Sequence, residues 1–244
     1  MNFKKPSRLR IILTVTLIAI MSMGVFAMGV YASSVDKTST ETQMETTGKP
    51  SLELDIRSAT VEVVTITENK VSAEYNKDIY DVVISDNNDV WKVNISCKTE
   101  INTNQEIIKL YIPDFDYDKV NMNIKNAGFT CASLKSGNII GDFNMATVVL
   151  TLPEDFTGSL DAISTTAEFS LISQDNFKDT NVTIVDDGGW GDDEIYVPQS
   201  FKKRGNIYTY TNGTESNIIK VTKKNAGMIG FYLANEFNVI EFPY

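Results

Sequence analysis

The sequence predicts an all-β fold for the part of the chain that follows residue 50. Apolar and polar residues alternate there with period two, as in the run LELDI at residues 52–56. β-Branched residues are common in these runs, and Asn, Gly and Asp separate them about every ten residues. Such alternation is typical of half-buried strands, and no stretch after residue 50 shows the 3.6-residue period of an amphipathic helix.

Nine runs carry this alternation clearly enough to be predicted as strands. They are residues 52–56, 61–65, 90–95, 107–112, 120–124, 148–152, 181–185, 207–210 and 218–221. Because they follow one another without a break in composition, we expect residues 51–244 to form one domain with one core.

An internal repeat indicates how these strands are arranged. Each unit has alternating apolar residues, a short polar break, a small residue and then apolar residues at steps of two. The small residues are Ala59, Ala127, Ala146, Ala167 and, as a last echo, Ala226. A unit of about twenty residues cannot bury its apolar row alone. The repeat therefore predicts a β-solenoid-like stack of short strands with alanine at tight corners, an antiparallel sandwich being the alternative.

The repeated unit resembles the putative adhesin domains of bacterial envelope proteins. LYIPDFDYDKV and LTLPEDFTGSL, with Pro113 and Pro153, are similar to that family's strand-end proline followed by a new rung. Gly141-Asp142 matches its glycine-aspartate turns, most of which are replaced here. The resemblance covers roughly residues 50–225. It implies β-solenoid repeats, an envelope location and a surface-binding or structural role, and it supplies no catalytic residues.

The N-terminus predicts export. The first ten residues, MNFKKPSRLR, are basic without an acid, and residues 11–32 follow without a charge. This pattern is typical of a signal peptide or an N-terminal membrane anchor, and it predicts a hydrophobic helix with the rest of the chain outside. The run is close to the roughly 20 residues that span a bilayer. Val30-Tyr31-Ala32 also fits a cleavage site, so within residues 1–32 both removal and retention remain open.

Composition narrows the class of partner. Residues 33–50 are rich in Ser, Thr and Glu, which predicts a disordered linker or stalk. The chain has 22 Lys+Arg against 32 Asp+Glu, a formal net charge of −10. A polyanion binds nucleic acid poorly, so we expect no nucleic-acid partner.

The residue inventory argues against catalysis. The chain has no histidine, which removes the commonest general base and any Ser-His or Cys-His pair. Ser133, Lys135 and Ser136 lie close together but lack the context of a serine–lysine nucleophile. We therefore predict no catalytic residue, no cofactor and no enzyme. Cys97 and Cys131 either form one disulfide in an exported protein or remain two buried thiols.

The segment DDGGWGDDE is the most unusual local feature. Its acids Asp186, Asp187, Asp192, Asp193 and Glu194 could supply oxygen ligands to Ca²⁺. Their spacing fits neither an EF-hand nor the nonapeptide calcium repeat, and a solvated acidic turn is the alternative.

Aromatic residues offer a second kind of binding site. Trp190, at the glycine-rich tip of that segment, could stack on a sugar or another apolar ligand, or fold back onto the sheet. Tyr208 and Tyr210 alternate along one strand, where they either extend an aromatic surface or pack across strands.

Together these observations predict a non-enzymatic surface module outside the cytoplasm, either membrane-anchored or secreted. Its partner would be an envelope or host-surface polymer or protein, with membrane contact through residues 11–32 if that segment is retained. One alternative is a membrane-anchored sensory or regulatory module of an envelope-stress system, which requires an uncleaved anchor. The other is an exported hydrolase.

Overall fold

The computed structural model describes residues 38–43, 48–87, 89–99, 106–174, 177–188 and 194–233. All regular secondary structure in these ranges is β-strand, so the predicted all-β class is confirmed. Residues 1–32, with the predicted hydrophobic helix, lie outside them. Within the described ranges no helix is long and apolar enough to cross a membrane.

The strands of the described residues form two sheets, and we number them in chain order. Sheet A has the hydrogen-bonded order β1 (Thr38–Gln43), β4 (Lys70–Tyr75), β7 (Ile107–Pro113), β3 (Thr60–Ile66), β9 (Gly128–Ala132), β11 (Thr147–Leu152), β13 (Glu168–Ser173), β19 (Met228–Leu233) and β15 (Glu194–Tyr196). Sheet B has the order β16 (Lys202–Arg204), β17 (Ile207–Asn212), β14 (Thr180–Asp186), β18 (Asn217–Lys224), β12 (Ser159–Thr165), β10 (Asn138–Asn144), β8 (Lys119–Lys125), β2 (Ser51–Arg57), β6 (Val90–Cys97) and β5 (Tyr80–Asn87). Each of the nine predicted runs lies in one of these strands.

The chain alternates between the sheets along the repeat. From β8 to β13 each strand lies in the sheet opposite to the strand before it and pairs in parallel with the strand two positions away. The pair β2 and β3 lies beside β8 and β9, and the pair β18 and β19 lies beside β12 and β13. The repeat in the sequence therefore corresponds to successive strand pairs that share one register.

The hydrophobic core lies between the two sheets. Alternate side chains of facing strands point inward, and the rings of Phe143 in β10 and Phe169 in β13 approach to 5.1 Å between centroids. Gly141 faces the same interior, and an ideal Cβ there would come within 2.9 Å of Cε1 of Phe143. Gly141-Asp142 is thus part of a strand rather than the turn that the family resemblance implied, because the glycine makes room for an aromatic ring.

The corners between paired strands confirm the predicted role of the small residues. The residue before each repeat alanine has a left-handed backbone: φ is 52° at Ser58, 51° at Asn126, 48° at Met145, 52° at Thr166 and 61° at Asn225. Backbone hydrogen bonds join neighbouring corners, as where Asn126 N–H donates to the carbonyl of Asn144 and Thr147 N–H donates to that of Ala127. The alanines at positions 59, 127, 146 and 167 are buried, so a larger side chain would have little room.

The predicted disorder of residues 33–50 is wrong for Thr38–Gln43, which forms β1. This strand pairs antiparallel with β4, and Thr42 Oγ1 donates a hydrogen bond to the carbonyl of Ile84 in β5 at 3.3 Å. Threonine is β-branched and favours extended backbone, so a polar Thr-rich segment can complete a sheet edge. The rest of the segment before residue 48 lies outside the described residues.

Antiparallel strands cover the parallel region at one end of both sheets and at the other end of sheet B, whereas sheet A ends there in the three-residue parallel strand β15. At one end β4 pairs antiparallel with β7, and β5 pairs antiparallel with β6. At the other end β17 pairs antiparallel with β14, and the three-residue β16 pairs with β17. Short or polar edge strands limit further strand pairing, as repeat proteins require at their ends.

Candidate functional site

The acidic segment at 186–194 is only partly described. Asp186 ends β14 and Asp187 follows it, whereas Trp190, Asp192 and Asp193 lie outside the described residues. Of Glu194 only the backbone is described, at the start of β15. No group of three or more metal-ligating side chains occurs among the residues that the structure describes. The calcium site and the ligand-binding role of Trp190 therefore stay predictions.

Asp186 has a partner that the sequence analysis missed. Lys223 in β18 is fully buried, and its Nζ lies 3.0 Å from Oδ1 of Asp186, whose side chain is 23% exposed. The two residues are paired in register across β14 and β18. The sequence contains a signal for this contact, because Lys223 continues the inward-facing alternation of Ile219 and Val221.

The two cysteines are not joined in this structure. Cys97 ends β6 in sheet B, half-buried, with its Sγ 3.6 Å from Oγ1 of Thr99. Cys131 lies in β9 of sheet A and points into the core. Burial raises the pKa of the Cys131 thiol to about 12. Both cysteines are thus free thiols here, one half-buried and one buried, and the disulfide stays a prediction.

A shallow depression of about 390 Å³ lies at the turns that follow β7, β9 and β11. Its charged residues are Asp114, Asp116, Asp155 and Lys135, and Lys135 Nζ lies 3.5 Å from Asp114 and 4.0 Å from Asp155. Ser136 Oγ instead bonds with the backbone of Asn138. Lys135 is therefore paired with carboxylates, and Ser136 is hydrogen-bonded to the backbone of its own turn.

The outer face of sheet A carries a different kind of surface. One outward-facing residue from each of six neighbouring strands lies at the same level, and we call this row the tyrosine band. From β7 to β19 it consists of Tyr111, Val64, Ala132, Thr151, Ile172 and Tyr232, where Val64 and Ala132 each follow the last paired position of β3 and β9, Val63–Cys131. Ala132 is exposed and the other five are half-buried. The band crosses the strands and has a tyrosine at each end.

The Tyr232 end of the band has a ring held against the sheet. The ring lies over Gly230, since an ideal Cβ at that glycine would lie 2.5 Å from Cε2 of Tyr232. Its side chain hydrogen-bonds with Ser170, which is 8% exposed although it faces outward. Burial, together with the carboxylate of Glu168, raises the pKa of Tyr232. The phenol is therefore neutral near pH 7.

The Tyr111 end of the band lies among carboxylates. Tyr111 hydrogen-bonds with Glu74 of β4, and burial and the charges of Glu74 and Glu62 raise its pKa. Lys109 is paired in register with both glutamates, on the level next to Tyr111. This end combines an aromatic ring with hydrogen-bond acceptors.

The outer face of sheet B lacks such a row in the described residues. Ile140, Ile163 and Ile218 are exposed there, by 39%, 37% and 58%. Tyr208 and Tyr210 pair with the inward-facing Ile184 and Val182 of β14, and both pack against the core. Tyr208 and Tyr210 therefore pack across strands, which was one of the two predicted alternatives. They do not extend an aromatic surface on the outer face of sheet B.

Sequence reasoning did not find the tyrosine band. Alternation places Tyr111 and Tyr232 on the outward side of their strands, but they are far apart in sequence. Only the register of the intervening strands puts them in one row.

Comparison with known proteins identifies the fold. A putative cell adhesion protein from Clostridium sporogenes ATCC 15579 matches with a TM-score of 0.60 and 15% sequence identity, covering 81% of this chain and 100% of that chain. A putative adhesin from Bacteroides fragilis NCTC 9343 aligns with a TM-score of 0.34 and 9% identity, covering 81% of this chain and 98% of that chain. No family model and no curated protein matches the sequence. The predicted resemblance to adhesins is thus confirmed at the level of fold: this chain folds like the putative cell adhesion protein of Clostridium sporogenes.

Proposed function

We propose that this protein is an adhesin-like surface module that acts outside the cytoplasm by binding and not by catalysis. The observation that carries the proposal is the fold shared with a protein described as a putative cell adhesion protein, over the whole length of that chain. The basic flank and apolar run of residues 1–32 support export. The partner would be an envelope or host-surface polymer or protein.

We also infer that the domain is a β-solenoid-like stack in which each strand pair is one rung. Support comes from the parallel registers that join β2, β8, β10, β12 and β18 in one sheet and their partners in the other. The backbone hydrogen bonds between neighbouring corners run in the direction in which the strand pairs are stacked. Such a stack gives broad, regular faces, which suits binding to an extended partner.

The proposal is tested with cells that make the full chain. Protease added to intact cells should remove the domain, and cells with the chain should adhere to a surface of host or envelope material more than cells without it. A domain that is protected in intact cells, or adhesion that is equal with and without the chain, would contradict the proposal. The mass of the chain recovered from the cells also shows whether residues 1–32 are retained.

A further inference from the structure

We propose that the tyrosine band on sheet A is a binding site for a neutral polysaccharide, whose chain lies along the band and across the strands. This inference rests on the adhesin-like function and names the class of its partner. The first argument is the shape of the site. The band is a row on a sheet face and not a closed pocket, so it fits an extended polymer better than a compact small molecule.

The second argument is the chemistry of the two ends. A sugar ring presents C–H groups on one face and hydroxyls at its edge. The half-buried Tyr232 ring lies over Gly230, so it is already placed on the sheet and can contact that C–H face without first being ordered. Near Tyr111, the carboxylates of Glu62 and Glu74 can accept hydrogen bonds from hydroxyls.

The third argument is the span of the band. The band spans six adjacent strands and therefore five inter-strand spacings of about 4.8 Å. The strands of the two tyrosines, β7 and β19, thus lie about 24 Å apart. A single sugar can reach one tyrosine only, whereas a chain of several sugars can reach both. Linking two weak contacts in one ligand raises the overall affinity without a new contact.

The fourth argument is charge. The chain has a formal net charge of −10, and three glutamates, Glu62, Glu74 and Glu168, lie around the band against one lysine, Lys109, between the first two. An anionic polysaccharide would be repelled, and so would nucleic acid. Among polysaccharides, a neutral chain therefore fits the band better than an anionic one.

The experiment measures how much soluble polysaccharides slow the electrophoretic migration of the full chain. The chain is kept in a detergent without a sugar headgroup. Laminarin, mannan and dextran serve as neutral probes and alginate serves as the anionic probe. We expect at least one neutral polymer to bind, alginate to bind less, and short oligosaccharides of the same polymer to bind more weakly. Tyr111→Ala and Tyr232→Ala should each weaken binding about tenfold.

Three further variants make the test specific. Gly230→Ala should weaken binding like Tyr232→Ala because it displaces the ring while keeping the tyrosine. Tyr232→Phe keeps the ring and should bind more tightly than Tyr232→Ala. The control is Ile140→Ala with Ile163→Ala, which removes exposed apolar side chains from the outer face of sheet B and should change nothing. If an alanine variant fails to fold, leucine at the same tyrosine keeps apolar volume without the ring.

The outcomes separate the two proposals. Adhesion of cells without binding of any neutral polysaccharide overturns the polysaccharide inference and leaves the adhesin-like function standing. Tighter binding of alginate overturns the neutral assignment. Polysaccharide binding that persists unchanged in the folded tyrosine variants overturns the band as the site. Absence of both adhesion and polysaccharide binding overturns both proposals.

Discussion

At the scale of single residues, Lys223 is the one charged side chain among the buried residues that the structure describes. It is fully buried between the sheets, with its ammonium 3.0 Å from the carboxylate of Asp186. Removing one partner of such a pair leaves a buried charge with reduced compensation, whereas replacing both partners by neutral groups is much less costly. Breaking the pair should therefore weaken the packing of β14 on β18.

We expect Asp186→Asn to lower the free energy of unfolding by about 3 kcal/mol, because the buried ammonium loses its carboxylate. Adding Lys223→Met should recover most of this loss. The measurement is urea unfolding of the full chain. Lys92→Met is the matched control, since Lys92 pairs with Glu53 at 2.9 Å on the surface and should cost less than about 1 kcal/mol. Equal effects of Asp186→Asn and Lys92→Met would contradict this account.

The two thiols should differ in reactivity. A thiol reagent attacks the thiolate, and burial raises the pKa of Cys131 to about 12, whereas Cys97 is half-buried at a strand end. We expect Cys97 to be labelled in the native protein and Cys131 only after unfolding. Cys97→Ser should abolish native labelling. Labelling that requires a reductant in the unfolded chain would instead show that the predicted disulfide forms.

At the scale of elements, the corners determine how strands of the repeat are connected. Each corner places one residue in the left-handed region before an alanine, which is buried at four of the five corners, and only some residue types tolerate that backbone. Asn126 and Asn225 suit it, whereas Met145 does not, although its side chain is 57% exposed. The corner at Met145 is therefore strained by its residue type.

We predict that Met145→Gly stabilises the protein by about 0.5–1 kcal/mol, because glycine adopts a φ of 48° without steric cost. Asn144→Gly is the control: this neighbour ends β10, and glycine there should destabilise. Thermal unfolding of both variants checks the signs. A lower midpoint for Met145→Gly would show that the exposed methionine makes contacts that outweigh the backbone strain.

At the scale of the whole domain, the described strands are arranged so that the parallel region has no long free edge. β1 pairs with β4 of sheet A and also reaches β5 of sheet B through Thr42. The Lys70–Glu41 pair, at 3.1 Å, joins the same two strands of sheet A. The strand β1 thus completes one edge of sheet A.

Disrupting β1 should expose the edge of β4. We expect Thr40→Pro with Thr42→Pro to increase self-association, because proline removes backbone donors and an unpaired edge can pair with another chain. Light scattering of the full chain over a concentration series is the measurement. Thr40→Ser with Thr42→Ser keeps the backbone donors and should behave like the parent. Equal association of the proline and serine variants would mean that β1 does not protect this edge.

The sequence alone determined the fold class, the strands with clear alternation and the corner positions, because these follow from local patterns of two residues or of one repeat. It missed strands such as β1 and β5, whose polar or mixed composition lacks a clear apolar row. It placed Gly141 in a turn because sequence does not show which ring fills the space above a glycine.

Tertiary structure alone decided the pairing order of the strands. Register between strands distant in sequence brought Tyr111 and Tyr232 into one row and Lys223 beside Asp186, since such contacts depend on long-range packing and not on local alternation.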